Sequence, residues 1–462
     1  MRLLPRWFFA VLFALPVIWF TPQTATAQPS AGAPINAQSD NGANPSTPAQ
    51  VYTLPPEKLA KAQALDRIRN TLDIVSGVWG VLIFWLLLAT RASAGLEVWL
   101  QRQFKRRWMQ GLCFFAVLFV ATILASLPID AYGHHASVAY GISVQNWGSW
   151  LVDQAKSLAL GVVFLAPLLL LFNWIVRRWP RRHWLVAWLV TLPIMIASIF
   201  VAPLFEPVFN KYEPLAAHHA GLVAQLELVV ARTGTNIPPN RMFLMKASEK
   251  TNGLNAYVDG IGATKRIVVW DTTAGRIPDD EVEFIFGHES GHYVLNHIPK
   301  QLAGAAVGLF FVFWACARLA SWLMRRFGKN WGLIEASSRD RKSGAPSENA
   351  SLLSTRTGFV VLIFAISILG FLLEPVGNTF SRHFEHEADV YGQEAIHGLV
   401  PDPRKTAVAG FQALGEAWLE DPNPNPLIEC WLYNHPSVKN RARFAARYDP
   451  WVTSGRGQFF ER

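Results

Sequence analysis

Six long apolar runs constrain this chain more than anything else in it. They lie near residues 72–90, 111–128, 157–176, 183–204, 302–324 and 357–375. Each is long enough to cross a hydrocarbon core about 30 Å thick. Buried helices of a soluble core are a poor alternative, because the runs are flanked by Trp and Arg. Composition points the same way: 51% of residues are hydrophobic and only 16% charged, where a soluble domain carries about 25% charged. The 19 Trp and 30 Phe suit a chain with aromatic side chains at the lipid–water boundary. Disordered chains, coiled coils and ordinary soluble enzymes are excluded. The net charge of +9 does not imply nucleic acid. The basic residues cluster beside the apolar runs, as in cytoplasmic loops facing anionic lipid. Cys113 and Cys316 sit inside apolar runs and Cys430 near the C-terminus, which suits neither a disulfide framework nor a cysteine zinc site.

Residues 1–27 read as an export signal, with Arg2 and Arg6, an apolar stretch from Trp7 to Phe20, and Ala25-Thr26-Ala27 as the cleavage pattern. A retained anchor helix is the alternative. Residues 28–50, rich in Pro, Ala, Gly, Asn, Ser and Gln, read as a flexible tether. A polar helix from Pro56 to Asn70 is expected before the first apolar run. The division that follows is membrane helices 1–4 in 51–205 and a globular segment in 206–300. Membrane helices 5–6 with a basic loop occupy 301–375, and a C-terminal segment 376–462. Within 206–300, Ala216 to Arg232 has helical spacing, stopped by Gly234 and Pro238. Three β-prone runs follow, Arg241–Met245, Asn255–Val258 and Arg266–Trp270, the last two joined by a turn at Gly260 and Gly262. The C-terminal segment is helical by pattern, with a Pro/Asn loop at Asp421–Pro426.

The chemistry concentrates at His288-Glu289-Ser290-Gly291-His292. The spacing predicts a helix with Asp280 as N-cap and Glu283 three residues on, as in a capping box, ended by Pro299. Positions four apart share a helix face, so both imidazoles can reach one metal ion. Glu289 lies beside them, placed to deprotonate a water whose pKa a zinc ion lowers toward about 7. One zinc per chain is expected, and a catalytic zinc usually takes three protein ligands. The metzincin spacing fails, because Leu295 stands where its Gly would be. On a continuous helix His297 turns away from the metal face and reads as a surface histidine. A second polar cluster, Ser381-Arg382-His383-Phe384-Glu385-His386-Glu387-Ala388-Asp389, directly follows the sixth apolar run. Glu385 and Asp389 share a face, so one can bind metal while the other orients a ligand histidine. Spacing alone does not choose between Glu385, His386 and Glu387.

The pair of clusters, about 90 residues apart, resembles the integral-membrane zinc metallopeptidases related to CAAX prenyl protease 1, with the HtpX-type proteases as relatives. Ala202-Pro203-Leu204-Phe205, Phe209-Asn210-Lys211-Tyr212-Glu213-Pro214-Leu215, Asn255-Ala256-Tyr257-Val258, Lys265-Arg266-Ile267-Val268-Val269 with Asp271-Thr272, and Asn434-His435-Pro436 fit the same family. The resemblance implies a mainly α, polytopic membrane protein whose helices enclose a chamber capped by a small α+β gluzincin-like zinc domain. It implies Glu385 as third zinc ligand beside His288 and His292, Glu289 as general base, and Asp389 as a partner of a ligand. His435 would stabilise the oxyanion. Asn255 and Ala256 would lie on an edge strand that pairs with an extended substrate. The implied activity is a zinc metalloendopeptidase cutting membrane-associated or CAAX-type proteins, with the lipid bilayer and a peptide as partners and no nucleic acid. An HtpX-like quality-control protease is the alternative within this chemistry. A non-catalytic zinc-binding scaffold or transporter is the alternative outside it. Glu289 speaks against that one, as does the lack of polar residues at repeat-related midpoints of the helices.

Charge bias predicts an orientation. Arg91, Arg102, Lys105, Arg106 and Arg107 share one loop with a single acid, Glu97. Arg177, Arg178, Arg181 and Arg182 lie after the third run, and Arg325, Arg326, Lys329, Arg339, Arg341, Lys342 and Arg356 after the fifth. Leu127 to Trp150 holds no Lys or Arg. Short basic loops stay cytoplasmic. Six crossings then put both zinc-binding segments on the periplasmic side of a bacterial inner membrane. The eukaryotic relatives are expected to face the cytosol instead.

Overall fold

The computed structural model describes residues 51–260, 262–334 and 352–461. The expected signal and tether, residues 1–50, lie outside the described residues, as do Arg339, Arg341 and Lys342. In chain order the helices of seven or more residues are α1 (Pro56–Ala89), α2 (Ala92–Gln103), α3 (Arg107–Ala139), α4 (Trp147–Arg178) and α5 (His183–Phe209), then α6 (Ala220–Thr233) and α7 (Asp279–Val294). They continue as α8 (His297–Phe327), α9 (Arg356–Ala395), α10 (Pro403–Trp418), α11 (Pro426–Leu432) and α12 (Val438–Arg447). Among the described residues, α1, α3, α4, α5, α8 and α9 are long and apolar enough to cross a membrane. Each contains one of the expected apolar runs.

Two helices are longer than expected. The polar stretch from Pro56 and the first apolar run form one helix, because its polar residues find partners on α10. Lys58 pairs with Glu416 at 3.0 Å, and Arg69 donates to the Trp418 carbonyl at 2.8 Å. Ahead of it, the buried Tyr52 donates to the Glu420 carbonyl. The chain therefore enters α1 already docked on the C-terminal segment. Likewise α9 runs unbroken from the sixth apolar run into the Ser381–Asp389 cluster.

The start of α9 is locked at the opposite end. Glu97 of α2 accepts from the backbone N–H of Arg356 at 3.0 Å and of Thr357 at 2.8 Å, and from the Thr357 hydroxyl. A carboxylate there satisfies orphan donors and complements the helix dipole. Arg356 is thus a buried partner of Glu97 rather than a loop charge. Among the described residues, two large apolar cores result, beside a small cluster around Met195 and Leu309. One lies at this basic end of the bundle, around Phe114, Phe115, Leu169, Leu323 and Val360. The other fills the domain at the far end, around Trp270, Phe284, Phe286, Phe411 and Leu226. Between them packing is sparse: on α9 no residue from 368 to 384 is buried, and on α1 none from 66 to 76. A helix in a solid bundle buries its inward face. Here both stretches are covered only in part, by contacts such as the Phe371 ring on Trp431 and Asp66 with the Tyr433 hydroxyl.

The extramembrane sheet is mixed, with strand order β1-β2-β4-β3. The strands are β1 (Tyr212–Pro214), β2 (Met242–Met245), β3 (Ala256–Asp259) and β4 (Arg266–Trp270). Three match the expected runs, and the three-residue β1 is additional. β2 pairs parallel with β4, and β1–β2 and β3–β4 are antiparallel. Gly260 ends β3 at φ +81°, where a Cβ would meet the Thr264 carbonyl at 2.3 Å. Only glycine serves there. Glu206, near the end of α5, accepts from Tyr212, Tyr257 and Arg266, joining the membrane bundle to the sheet.

Candidate metal centre

The helix carrying His288 and His292 differs from the expected one at both ends. α7 begins at Asp279 behind Pro278, with no side-chain cap hydrogen bond, so Asp280 is not an N-cap. Asp279, Asp280 and Glu281 fill its first turn and complement the dipole instead. It stops at Val294, not Pro299. Asn296 takes φ +57°, a left-handed turn that asparagine tolerates, and α8 starts afresh at His297 with Pro299 in its first turn.

α7 crosses α9 at very short range. A Cβ on Gly392 would lie 2.7 Å from the His288 backbone nitrogen, and one on Gly291 3.0 Å from Tyr391 Cβ. The missing side chains let α9 bring Glu385 up to the paired imidazoles. His288 Nε2 and His292 Nε2 are 3.2 Å apart. Glu385 Oε2 is 3.4 Å from the first and Oε1 3.7 Å from the second. One ligand atom from each of the three residues falls within 4.8 Å of the others. All three are buried, and Glu385 is 1% exposed with neither oxygen receiving a hydrogen bond. An orphaned buried carboxylate is costly. Two imidazoles and a carboxylate converging on one point are the donor set that suits Zn²⁺.

Of the three residues that spacing left open, only Glu385 joins this group. The His386 ring packs on Phe444, and Glu387 turns to His297. Asp389 Oδ1 is 2.9 Å from His288 Nδ1, holding the ring so that Nε2 faces the centre. Arg441 of α12 grips Asp389 with two bonds of 2.9 and 2.6 Å and lies over the Phe411 ring. Burial pulls His288 down, but its bond to Asp389 and the negative charges of Asp389 and Glu385 outweigh this and raise it to about 9. Burial pushes the Glu289 carboxyl up to about 7.

His435 also arrives here, its Nε2 3.2 Å from Glu385 Oε2. It stands on the loop between α11 and α12. Arg382 fixes that loop by donating to the Tyr433, Glu429 and Cys430 carbonyls. Asn255 leads into β3, its N–H on the Thr273 hydroxyl and its carbonyl accepting from the same group. β3, with Ala256, is an edge of the sheet, and the Val258 N–H donates to Glu289.

Sequence reasoning missed Arg441 and misplaced His297. His297 is wholly buried and lies 3.0 Å from His292. The break at Asn296 swings it back over the ligand instead of carrying it round a continuous helix.

Comparison with known proteins agrees with this geometry. Residues 39–211 match "CAAX prenyl protease N-terminal, five membrane helices", and residues 217–448 match peptidase family M48. "Uncharacterized metalloprotease YhfN" of Bacillus subtilis is 31% identical over 393 residues, 85% of this chain and 86% of that protein. CAAX prenyl protease 1 of Saccharomyces cerevisiae is 25% identical over 338 residues, 72% of this chain and 71% of that protein. In fold, the crystal structure of Ste24p from S. mikatae aligns with a TM-score of 0.67 at 22% identity, covering 84% of this chain and 88% of that one. The HExxH-type helix, the carboxylate on α9 and the six long apolar helices are thus found together in a chain that belongs to peptidase family M48, as a membrane zinc metallopeptidase of the CAAX prenyl protease 1 (Ste24) family.

Proposed function

We propose that this chain is an endopeptidase that binds membrane-associated proteins as extended strands and cuts them with one zinc ion held by His288, His292 and Glu385. The observation that carries the reading is β3 forming an edge of the sheet beside Glu289. Asn255 pairs with Trp270, whose N–H donates to the Asn255 carbonyl at 3.1 Å. In an antiparallel ladder the next residue turns its backbone groups the other way. Ala256 therefore offers its N–H and carbonyl to the free side, one residue from Tyr257 and two from the Val258 N–H on Glu289. A substrate strand added there lies across the centre, with main-chain bonds giving affinity.

The bound zinc supplies Lewis acidity to a water and to the scissile carbonyl. Glu289 takes the proton of the attacking water and returns it to the leaving nitrogen. His435 donates to the oxygen on which negative charge develops. Asp389, held by Arg441, keeps His288 in register. CAAX-type termini, as in the names of the eukaryotic relatives, are one class of membrane-associated substrate. Peptide mapping of membrane proteins cut by wild type and spared by Glu289→Gln tests the reading. No differential cleavage in native membranes would refute it.

His435→Phe is expected to keep zinc and lower turnover about a hundredfold, as loss of one oxyanion donor does. Unchanged turnover in folded protein returns His435 to a loop-packing role.

We read the active site as periplasmic. Residue 51 and the zinc-binding segments share one end of the bundle, and the basic loops share the other, where Arg91 donates to the Asn330 carbonyl. That grouping supports the charge-based topology. A cysteine at the exposed Ser454 should react with an impermeant label in whole cells. Reaction only after the membrane is breached reverses the orientation.

A further inference from the structure

His297 belongs to neither the ligand set nor the attacking groups, yet it is wholly buried against His292. Its Nδ1 is 3.0 Å from His292 Nδ1, and its Nε2 is 3.1 Å from Glu387 Oε2. Its ring leans on Phe384, with centroids 4.8 Å apart. Proton accounting along this chain has one solution. His292 must keep the Nε2 lone pair for the metal, so its hydrogen sits on Nδ1 and is donated to His297 Nδ1. The His297 hydrogen then sits on Nε2 and is donated to the Glu387 carboxylate. Each donor meets an acceptor. The reverse assignment puts a hydrogen on His292 Nε2, where the ion must go.

We infer that His297 and Glu387 form a relay that orients His292 and fixes its tautomer for zinc. The other ligand, His288, reaches its carboxylate directly, through Asp389. On His292, Nδ1 faces the His297 ring instead, at 3.0 Å. Glu387 lies two residues from Glu385, roughly 200° around the same helix, and its carboxylate approaches from the side. The interposed imidazole spans the gap. Asn296, at φ +57°, makes this possible by breaking the helix one residue before His297. α9 thus supplies the third ligand and the carboxylates behind both histidines, at 385, 387 and 389. His297 is a positioning residue and touches no reacting atom.

The inference rests on His288, His292 and Glu385 holding zinc, which zinc binding by the wild type tests separately. The experiment is competition of zinc against a fluorescent chelator, using full-length detergent-solubilised protein. His297→Leu should weaken zinc binding 10–100-fold, the usual effect of losing a ligand's hydrogen-bond partner. His297→Gln should restore most of that loss, since an amide oxygen can accept from His292 while its NH₂ donates to Glu387. Melting of the zinc-stripped variants separates this from packing, because a merely structural histidine would move the melting temperature and leave zinc affinity alone. Wild-type affinity in His297→Leu, or equal losses in Leu and Gln, overturns the relay. If His297→Leu does not fold, Glu387→Leu decides. Weakened zinc binding in folded protein supports the relay, and unchanged binding ends it.

Discussion

Glu289→Gln is expected to bind zinc as wild type does and to lose about 10³–10⁴-fold in turnover. The substitution keeps the side chain's shape and leaves an oxygen for the Val258 N–H. It removes only the proton acceptor, and general-base catalysis contributes up to about 10⁴-fold. None of the three candidate ligands is touched. The check pairs metal content with turnover of a peptide that the wild type cleaves. Turnover within about tenfold of wild type removes Glu289 from the base role. Loss of zinc comparable to His288→Ala makes it a metal-holding residue instead.

Glu385→Ala should lose zinc itself, by on the order of 10³-fold or more in affinity, and activity with it. His288→Ala and His292→Ala should behave alike. The buried Glu385 oxygens receive no hydrogen bond and face the ring nitrogens of His288, His292 and His435. A cation between them supplies what the protein withholds. His386→Ala, whose ring packs on Phe444, is the control and should keep its metal. The opposite pattern, zinc retained without Glu385 and lost without His386, dismantles this ligand set. The wild type should also gain thermal stability from added zinc, since a ligand that binds only the folded state raises its stability, and Glu385→Ala should gain none.

What was legible in the sequence tracks how local each arrangement is. His288 and His292 are four apart on one helix, so their shared face needs no tertiary knowledge. Glu385 depends on where two helices cross, and that crossing is set by Gly291 and Gly392, whose meaning appears only once their neighbours are known. Resemblance to a family pointed to Glu385 where spacing could not choose. Arg441 is invisible for the same reason: its partner Asp389 is 52 residues away. His297 was misread because a helix was continued through Asn296, a residue that tolerates the left-handed turn without announcing it as glycine would. The length of α1 was underestimated because its polar half is held by α10, a segment some 350 residues further along. The six apolar runs were plain throughout, since lipid demands unbroken apolar helix whatever the tertiary context.

The continuity of α9 has a mechanical consequence. Its 40 residues make a rod of about 60 Å, roughly twice the thickness of a hydrocarbon core. One end is pinned to Glu97 at the basic face, and the other carries Glu385, Glu387 and Asp389. Pro375 sits within it, where one backbone hydrogen bond is missing. The position of Glu385 along the bundle is therefore measured from the opposite, basic end. A bilayer thicker or thinner than the apolar span imposes tilt on such a helix. Tilt of α9 moves Glu385 relative to α7, which is not among the helices long and apolar enough to cross a membrane. If Glu385 holds zinc as proposed, hydrophobic mismatch becomes a variable of metal geometry, and zinc affinity is expected to change with the acyl-chain length of the surrounding lipid.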